Sequence, residues 1–521
     1  MSANIFIYDT TLRDGTQREG LSLSLQDKLK IARKLDEFGV HYIEGGWPGS
    51  NPKDADFFQA VKEMTFQHAK IAAFGSTRRK QATTADDPNI RALLDAETPV
   101  VTLVGKSWDL HVRDVLEADL EENLAMIGES IAYLKSQGKE VIYDAEHFFD
   151  GFKANSDYAL LTVQVAAEHG ADCVVLCDTN GGSLPWEVEQ IVGLVMSRLN
   201  VAVGIHTHDD GGCGVANTLA AVRAGAIQVQ GTINGYGERV GNANLCTVIP
   251  DIQLKLTRPC LPAENLKHLG ELSRFVAEIA NLPHDDHWPY VGSSAFAHKG
   301  GIHVAAMRKN ERSYQHIDPS LVGNDRRTVI SELGGRGNVL DKAAEFGVNL
   351  NSDEARDILQ QIKELENEGF AFEAGEASMS LLLRRMKPGY KRPFEMLDFT
   401  TWISVRQNVP MVSDASVKIK IDGEVIHTAS AGNGPVNALS LALRKALFTK
   451  YPQLQTIHLT DYKVRILDGE NGTGARVRVL IDFIDGERHW STVGASTNII
   501  EASWHALVDS YEYALLNGNQ S

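Results

Sequence analysis

Eight short, β-rich apolar runs separated mostly by segments of helical periodicity occupy the first 235 residues: IFIYDTTL (5–12), HYIEGGW (41–47), KIAAFGS (70–76), VVTLVG (100–105), EVIYDAEHF (140–148), DCVVLCDT (172–179), VAVGIHTH (201–208) and IQVQGTING (227–235). Strands that alternate with helices form a parallel sheet with the helices outside. Eight such units in this length fit a closed (β/α)8 barrel better than an open, doubly wound sheet. The first helix shows the pattern: Leu29, Ile31, Ala32, Leu35 and Phe38 give one apolar face that ends at Gly39, a natural left-handed cap.

The alternation stops near residue 250. Residues 250–400 read as helices with interspersed loops, and the clearest helix opens at Asn351. Glu354 three positions later completes a capping box, Ala355, Ile358, Leu359, Ile362 and Leu365 form its apolar face, and Gly369 ends it. KPGYKRPFE (387–395) connects to a last domain with an internal repeat: IDGE at 421–424 and again at 484–487, each followed by a strand-like run, a glycine (Gly432, Gly494) and a helical pattern. Two ββα halves are expected there, an α+β pseudo-repeat suited to effector binding or dimerisation. The expected division is therefore an α/β barrel over 1–270, a mostly helical linker region over 271–400 and a C-terminal regulatory domain over 401–521.

Composition removes several function classes. A net charge of −17 disfavours binding to a phosphate backbone. Apolar runs fall short of the ~18 residues of a membrane span, and the N-terminus lacks a basic region followed by an apolar stretch, so the expected location is cytoplasmic. Five cysteines, odd in number and without zinc-finger spacing, read as reduced packing residues.

Barrel chemistry sits where strands end at the C-terminal face. Those ends carry Arg13-Asp14, Glu44, Glu146-His147, Asp178-Thr179, His206 and His208, then Glu238-Arg239 and Asn242. Residues i and i+2 of a strand share a face, so His206 and His208 both look into the barrel mouth. With the Asp14 carboxylate across the ring they offer three ligands to one divalent ion (Mn2+, Mg2+ or Zn2+) and leave positions open for substrate. Asp209 and Asp210 are either partners of the imidazoles or solvated turn residues, the latter favoured for Asp210. Arg13 beside a ligating Asp14 can share a developing oxyanion with the ion. Glu146 and Thr179 are candidates for positions near the metal, Leu103 and Tyr143 for closing a small apolar substrate pocket. His303 and Tyr314, in FAHKGGIHVAAMRKNERSYQHIDP (296–319), are candidates for acid-base work, while His298 and His316 read as structural. GYGERVGNAN (235–244) misses the dinucleotide fingerprint, so no nicotinamide cofactor is expected.

DTTLRDGTQ (9–17), HTHDD (206–210) and GYGERVGNANL (235–245) together resemble the metal-dependent Claisen-condensing acyltransferases of the isopropylmalate, homocitrate and citramalate synthase group, over essentially the whole chain. IEGGWPGSNPKD (43–54), AFGSTRR (73–79) and DAEHFFDGFK (144–153) are most similar to the citramalate-forming branch. The resemblance implies metal ligation by Asp14, His206, His208 and the side-chain amide of Asn242, catalytic parts for Arg13, Glu146, His303 and Tyr314, and Thr179 holding the keto acid's carboxylate. Gln17 matches the group's motif and Arg13 and Gln17 are expected to contact substrate, whereas Thr16 departs from the Glu or Asn of other branches. Acetyl-CoA and pyruvate are the implied substrates, isoleucine the implied effector and a homodimer the implied assembly. Isopropylmalate formation, a metal-dependent aldolase or lyase, and a non-enzymatic metal- or effector-binding protein remain the alternatives.

Overall fold

A computed structural model describes residues 4–329, 334–406, 409–486 and 488–517. Eight parallel strands close into a barrel in sequence order: β1 (Phe6–Asp9), β2 (Tyr42–Gly46), β3 (Lys70–Ser76), β4 (Val100–Lys106), β5 (Glu140–Glu146), β6 (Cys173–Asp178), β7 (Ala202–Thr207) and β8 (Gln228–Gly231). β8 returns to β1 with Phe6 opposite Gln228 and Asp9 opposite Gly231, which removes every sheet edge. Period-two alternation divides each strand between two cores. Ile7, Ile43, Val101, Val141, Val174, Val203 and Val229 face the helices in one large apolar layer, while Tyr8, Ala72, Val100, Ile142 and Val175 fill the barrel interior.

Local signals hold where they were specific. The helix Leu25–Phe38 ends at Gly39 with φ +95, as the sequence implies, and Ser24 with Asp27 closes a capping box at its start. The helix Ser352–Asn367 has the expected cap: Asn351 Oδ1 accepts from the backbone of Asp353 and Glu354, and Glu354 accepts from Asn351 N at 2.7 Å.

The chain forms two compact units, residues 1–296 with 317–326 and residues 297–316 with 327–521. The expected boundaries at 270 and 400 fall inside them. In the second unit the two halves of the repeat each carry three strands, β11 (Glu395–Arg406), β12 (Val409–Ile421) and β13 (Glu424–Gly432), then β14 (His458–Ile466), β15 (Val477–Asp485) and β16 (Arg488–Ser496). A short parallel pair, β9 (Ala297–His298) and β10 (Arg327–Thr328), precedes them. Each half is thus βββα and not ββα. β11 and β14 are exposed along much of their length, so neither shows a buried alternation, and neither adjoins an IDGE turn that would mark it. The first IDGE is a tight turn with positive φ at Asp422 and Gly423; in the second, Gly486 has φ +62 and Glu487 lies outside the described residues. All five cysteines are free thiols, and among the described residues no helix is long and apolar enough to cross a membrane.

Candidate active site

The first strand ends at Asp9, earlier than its apolar run suggests, and the chain then coils back on Thr10. Arg13 N and Gly15 N both donate to Thr10 O, and Asp14 N donates to Thr10 Oγ1 at 3.2 Å. This turn lets two adjacent residues serve one centre, which an extended strand forbids. Arg13 Nε donates to Glu44 Oε2 at 2.6 Å and one of its terminal nitrogens to Asp14 Oδ2 at 3.1 Å, while the guanidinium lies 3.8 Å over the Phe74 ring. Glu44, fully buried, is held in turn by the hydroxyls of Tyr8 and Thr10.

His206 and His208 bring their Nε2 atoms to 3.7 and 3.9 Å from the same Asp14 Oδ2. These three buried side chains are the one group of three or more His, Cys, Asp or Glu among the described residues with ligand atoms close enough to hold an ion. Asn242 joins them because residue 208 bridges to it across the loop after β8. Its Nδ2 donates to Asp14 Oδ1 at 3.0 Å and to Tyr236 O at 3.1 Å, and its Oδ1 is buried without a partner. The neighbouring glycine is required: a Cβ on Gly237, whose φ is +153, would lie 2.2 Å from Asn242 Nδ2. Two imidazole nitrogens, a carboxylate oxygen and an amide oxygen suit a divalent ion, and an orphaned buried acceptor beside them is the mark of such a site.

Electrostatics keep the ligands in the protonation states that ligation needs. Burial alone would raise Asp14, but Arg13 and then the two imidazoles outweigh it and hold the carboxyl at about 2. Burial, reinforced by His206, lowers His208 to about 4, and burial also lowers His206. Burial opposes the charge on Arg13 as well, yet Glu44 and Asp14 more than offset it and hold the guanidinium above its ordinary range.

Glu146 ends β5 in an ion pair with Lys106, and the Thr179 hydroxyl accepts from His147 N at 2.9 Å. Gln17 is exposed in the short 3-10 turn Gly15–Gln17. His303 and Tyr314 belong to the second unit, where their rings stack with centroids 4.2 Å apart and both are exposed. Leu103 and Tyr143 correct an expectation. They are register partners on β4 and β5, and both turn outward into the apolar layer beneath the helices, because the inward positions of those strands are Val100 and Thr102, Ile142 and Asp144. Asp209 caps the helix Gly214–Ala224 through Gly214 N, and Asp210 grips Arg239 through both oxygens, so neither holds an imidazole.

The side chain that does hold one is Gln230, whose Oε1 lies 3.0 Å from His206 Nδ1 and whose Nε2 donates to Asp144 Oδ1 at 2.9 Å. Its signal was present in the sequence as IQVQG (227–231), where glutamines occupy the inward phase of a barrel strand; Asp144, two residues before Glu146, and Glu44 carry the same mark.

Residues 4–276 match the HMGL-like family model, residues 290–369 the homocitrate synthase post-HMGL domain-like model, and residues 373–515 the LeuA allosteric (dimerisation) domain model. The chain is 54% identical to an (R)-citramalate synthase of Aquifex aeolicus, over 100% of this chain and 99% of that one. It is 52% identical to those of Geobacter sulfurreducens (98% and 97% covered) and Synechocystis sp. (98% and 96% covered).

Proposed function

The chain belongs to the (R)-citramalate synthase family within the HMGL-like enzymes, and on that premise we propose that it joins the methyl carbon of acetyl-CoA to the keto carbon of pyruvate and hydrolyses the thioester, releasing citramalate and CoA. The observation that carries the reading is convergence on Asp14 Oδ2 of both His206 and His208 Nε2, with Arg13 donating to that same oxygen, in a chain about half identical to its relatives end to end.

Asp14, His206, His208 and Asn242 would hold a divalent ion, which would supply Lewis acidity at the keto group of pyruvate. Two imidazole ligands favour Mn2+ or Zn2+ over Mg2+, which prefers oxygen. Arg13 is fixed by Glu44 and Asp14 through two of its nitrogens and offers its remaining N–H donors to the alkoxide that forms as the new carbon–carbon bond closes. Thr179 and Gln17 hold the keto acid's carboxylate. His303, stacked on Tyr314, is assigned the removal of the methyl proton from acetyl-CoA, and Glu146 the activation of the water that cleaves the thioester. The domain matched to the LeuA model is assigned dimerisation and the binding of isoleucine, and the enzyme is assigned to the cytoplasm.

Release of free thiol from acetyl-CoA, measured with pyruvate, 2-oxoisovalerate and 2-oxoglutarate, tests the assignment. Pyruvate is expected to be preferred and a chelator to abolish turnover. Preference for either of the other acids, or thiol release unaffected by chelation, overturns it.

A further inference from the structure

We infer that Gln230 and Asp144 form a positioning relay that fixes the tautomer of His206, so that its Nε2 presents a lone pair to the metal. The inference rests on the reading of His206 as a ligand. Neighbouring strands place the parts: His206 on β7 is the register partner of Gln230 on β8, both inward, and Gln230 reaches across the interior to Asp144 on β5. Gln230, Asp144 and His206 are 0%, 3% and 5% exposed, so water does not substitute for a missing partner.

An amide side chain has one acceptor end and one donor end, and which end faces which neighbour is a chemical choice. Here the donor end faces Asp144. Asp144 Oδ1 accepts from Gln230 Nε2 at 2.9 Å, which turns Gln230 Oε1 toward His206 Nδ1 at 3.0 Å. An acceptor facing Nδ1 requires the ring proton there, and a neutral imidazole with N–H at Nδ1 has its lone pair at Nε2. Nε2 is the atom that approaches Asp14 Oδ2. With the amide reversed, Gln230 would donate to Nδ1 and the ring proton would occupy the metal-facing nitrogen. The second imidazole has no counterpart of this device, for His208 Nδ1 is buried without a partner. His206 is therefore the ligand whose readiness the protein sets in advance.

Mn2+ titrations of the full-length, metal-stripped protein test the relay, together with 15N imidazole spectra of the metal-free protein and melting curves as a control on folding. Gln230→Met is expected to weaken Mn2+ binding about ten- to hundredfold and to remove the proton from His206 Nδ1 in a measurable fraction of molecules. Asp144→Asn, which admits both amide orientations, is expected to weaken binding less and in the same direction. The double variant Gln230→Glu with Asp144→Asn reverses donor and acceptor while keeping an acceptor at His206 Nδ1, and is expected to return Mn2+ affinity to within about threefold of the parent. Affinity unchanged within about twofold in Gln230→Met, or a double variant no better than that single one, overturns the relay. Should Gln230→Met fail to fold, Asp144→Asn and the double variant carry the same comparison. His206→Ala separates the two readings: loss of Mn2+ binding there alongside an indifferent Gln230→Met overturns the relay alone, whereas Mn2+ binding unchanged in His206→Ala overturns the ligand set and the relay with it.

Discussion

Arg13 shows how much one side chain is asked to do when buried. It neutralises Glu44 and Asp14, stacks on Phe74, and still has donors to offer to a developing negative charge. Arg13→Ala is expected to lower kcat on the order of a hundredfold or more, as for loss of a main oxyanion donor, and Arg13→Lys to recover little because an ammonium lacks the planar fork that spans two carboxylates. Steady-state rates with pyruvate check both; a loss of less than about threefold in Arg13→Ala removes the residue from the chemistry. The ligands make a second prediction. Asp14 held at about 2 and His208 lowered to about 4 mean that these two groups lie below their unfolded values. The folded state therefore binds fewer protons than the unfolded one, the stabilising contribution is present above the unfolded pKa values, and it is lost as pH falls through the folded ones. Protons also do not compete for the site until that range. Mn2+ affinity should stay level from pH 8 to about pH 5 and fall below it, where solvent-exposed imidazoles would already lose affinity beneath about 6.5. Binding isotherms across that range decide the matter.

At the scale of the element, strand phase and turn geometry decide which side chains meet. Leu103 and Val104 are adjacent on β4, yet the alternation that places Val100 and Thr102 inside puts Val104 toward the mouth and Leu103 under the helices. Leu103→Val is accordingly expected to cost about 1 kcal/mol of stability and leave substrate preference unchanged. Val104→Ala should instead move relative kcat/KM toward 2-oxoisovalerate by about tenfold, read in the same thiol-release assay. The loop after β8 works through backbone conformation: Gly237→Ala would set a methyl group against the Asn242 amide in a backbone region that L-residues rarely adopt. Weaker Mn2+ binding with the barrel's helical circular dichroism retained is the expected result. Apolar runs located these strands well, because a buried parallel strand is hydrophobic on both faces. They did not locate β11 and β14, which are largely exposed and adjoin no IDGE turn.

At the scale of the whole molecule, stability is held in separate cores. The large apolar layer of the barrel draws no described residue from beyond Val322. The helices Arg336–Glu345, Ser352–Asn367 and Glu376–Arg385 share a core that includes Val493 of β16, and they are tied to the helix Ile499–Asn517 by Arg385, which pairs with Asp509 and Glu512. Removing residues 387–521 would strip those three helices of both supports. The truncated protein is expected to keep Mn2+ binding while residues 336–385 become cleavable at least about tenfold faster by protease, the signature of local opening. Limited proteolysis with mapped cleavage sites checks it.

Composition, periodicity and motif spacing determined the barrel, the capped helices, the repeat at the C-terminal end and the residue types able to hold a divalent ion. These are local properties, set by which side chains recur at a strand or helix interval and by which turn residues stand between them. Tertiary structure alone decided the rest: that Asp9 ends its strand early enough for Arg13 and Asp14 to share a centre, that Gln230 and not Asp209 or Asp210 supports His206, and that Leu103 and Tyr143 face away from the mouth. Each of those outcomes depends on strand phase and register around a closed ring, where a one-residue change reverses the direction of every side chain.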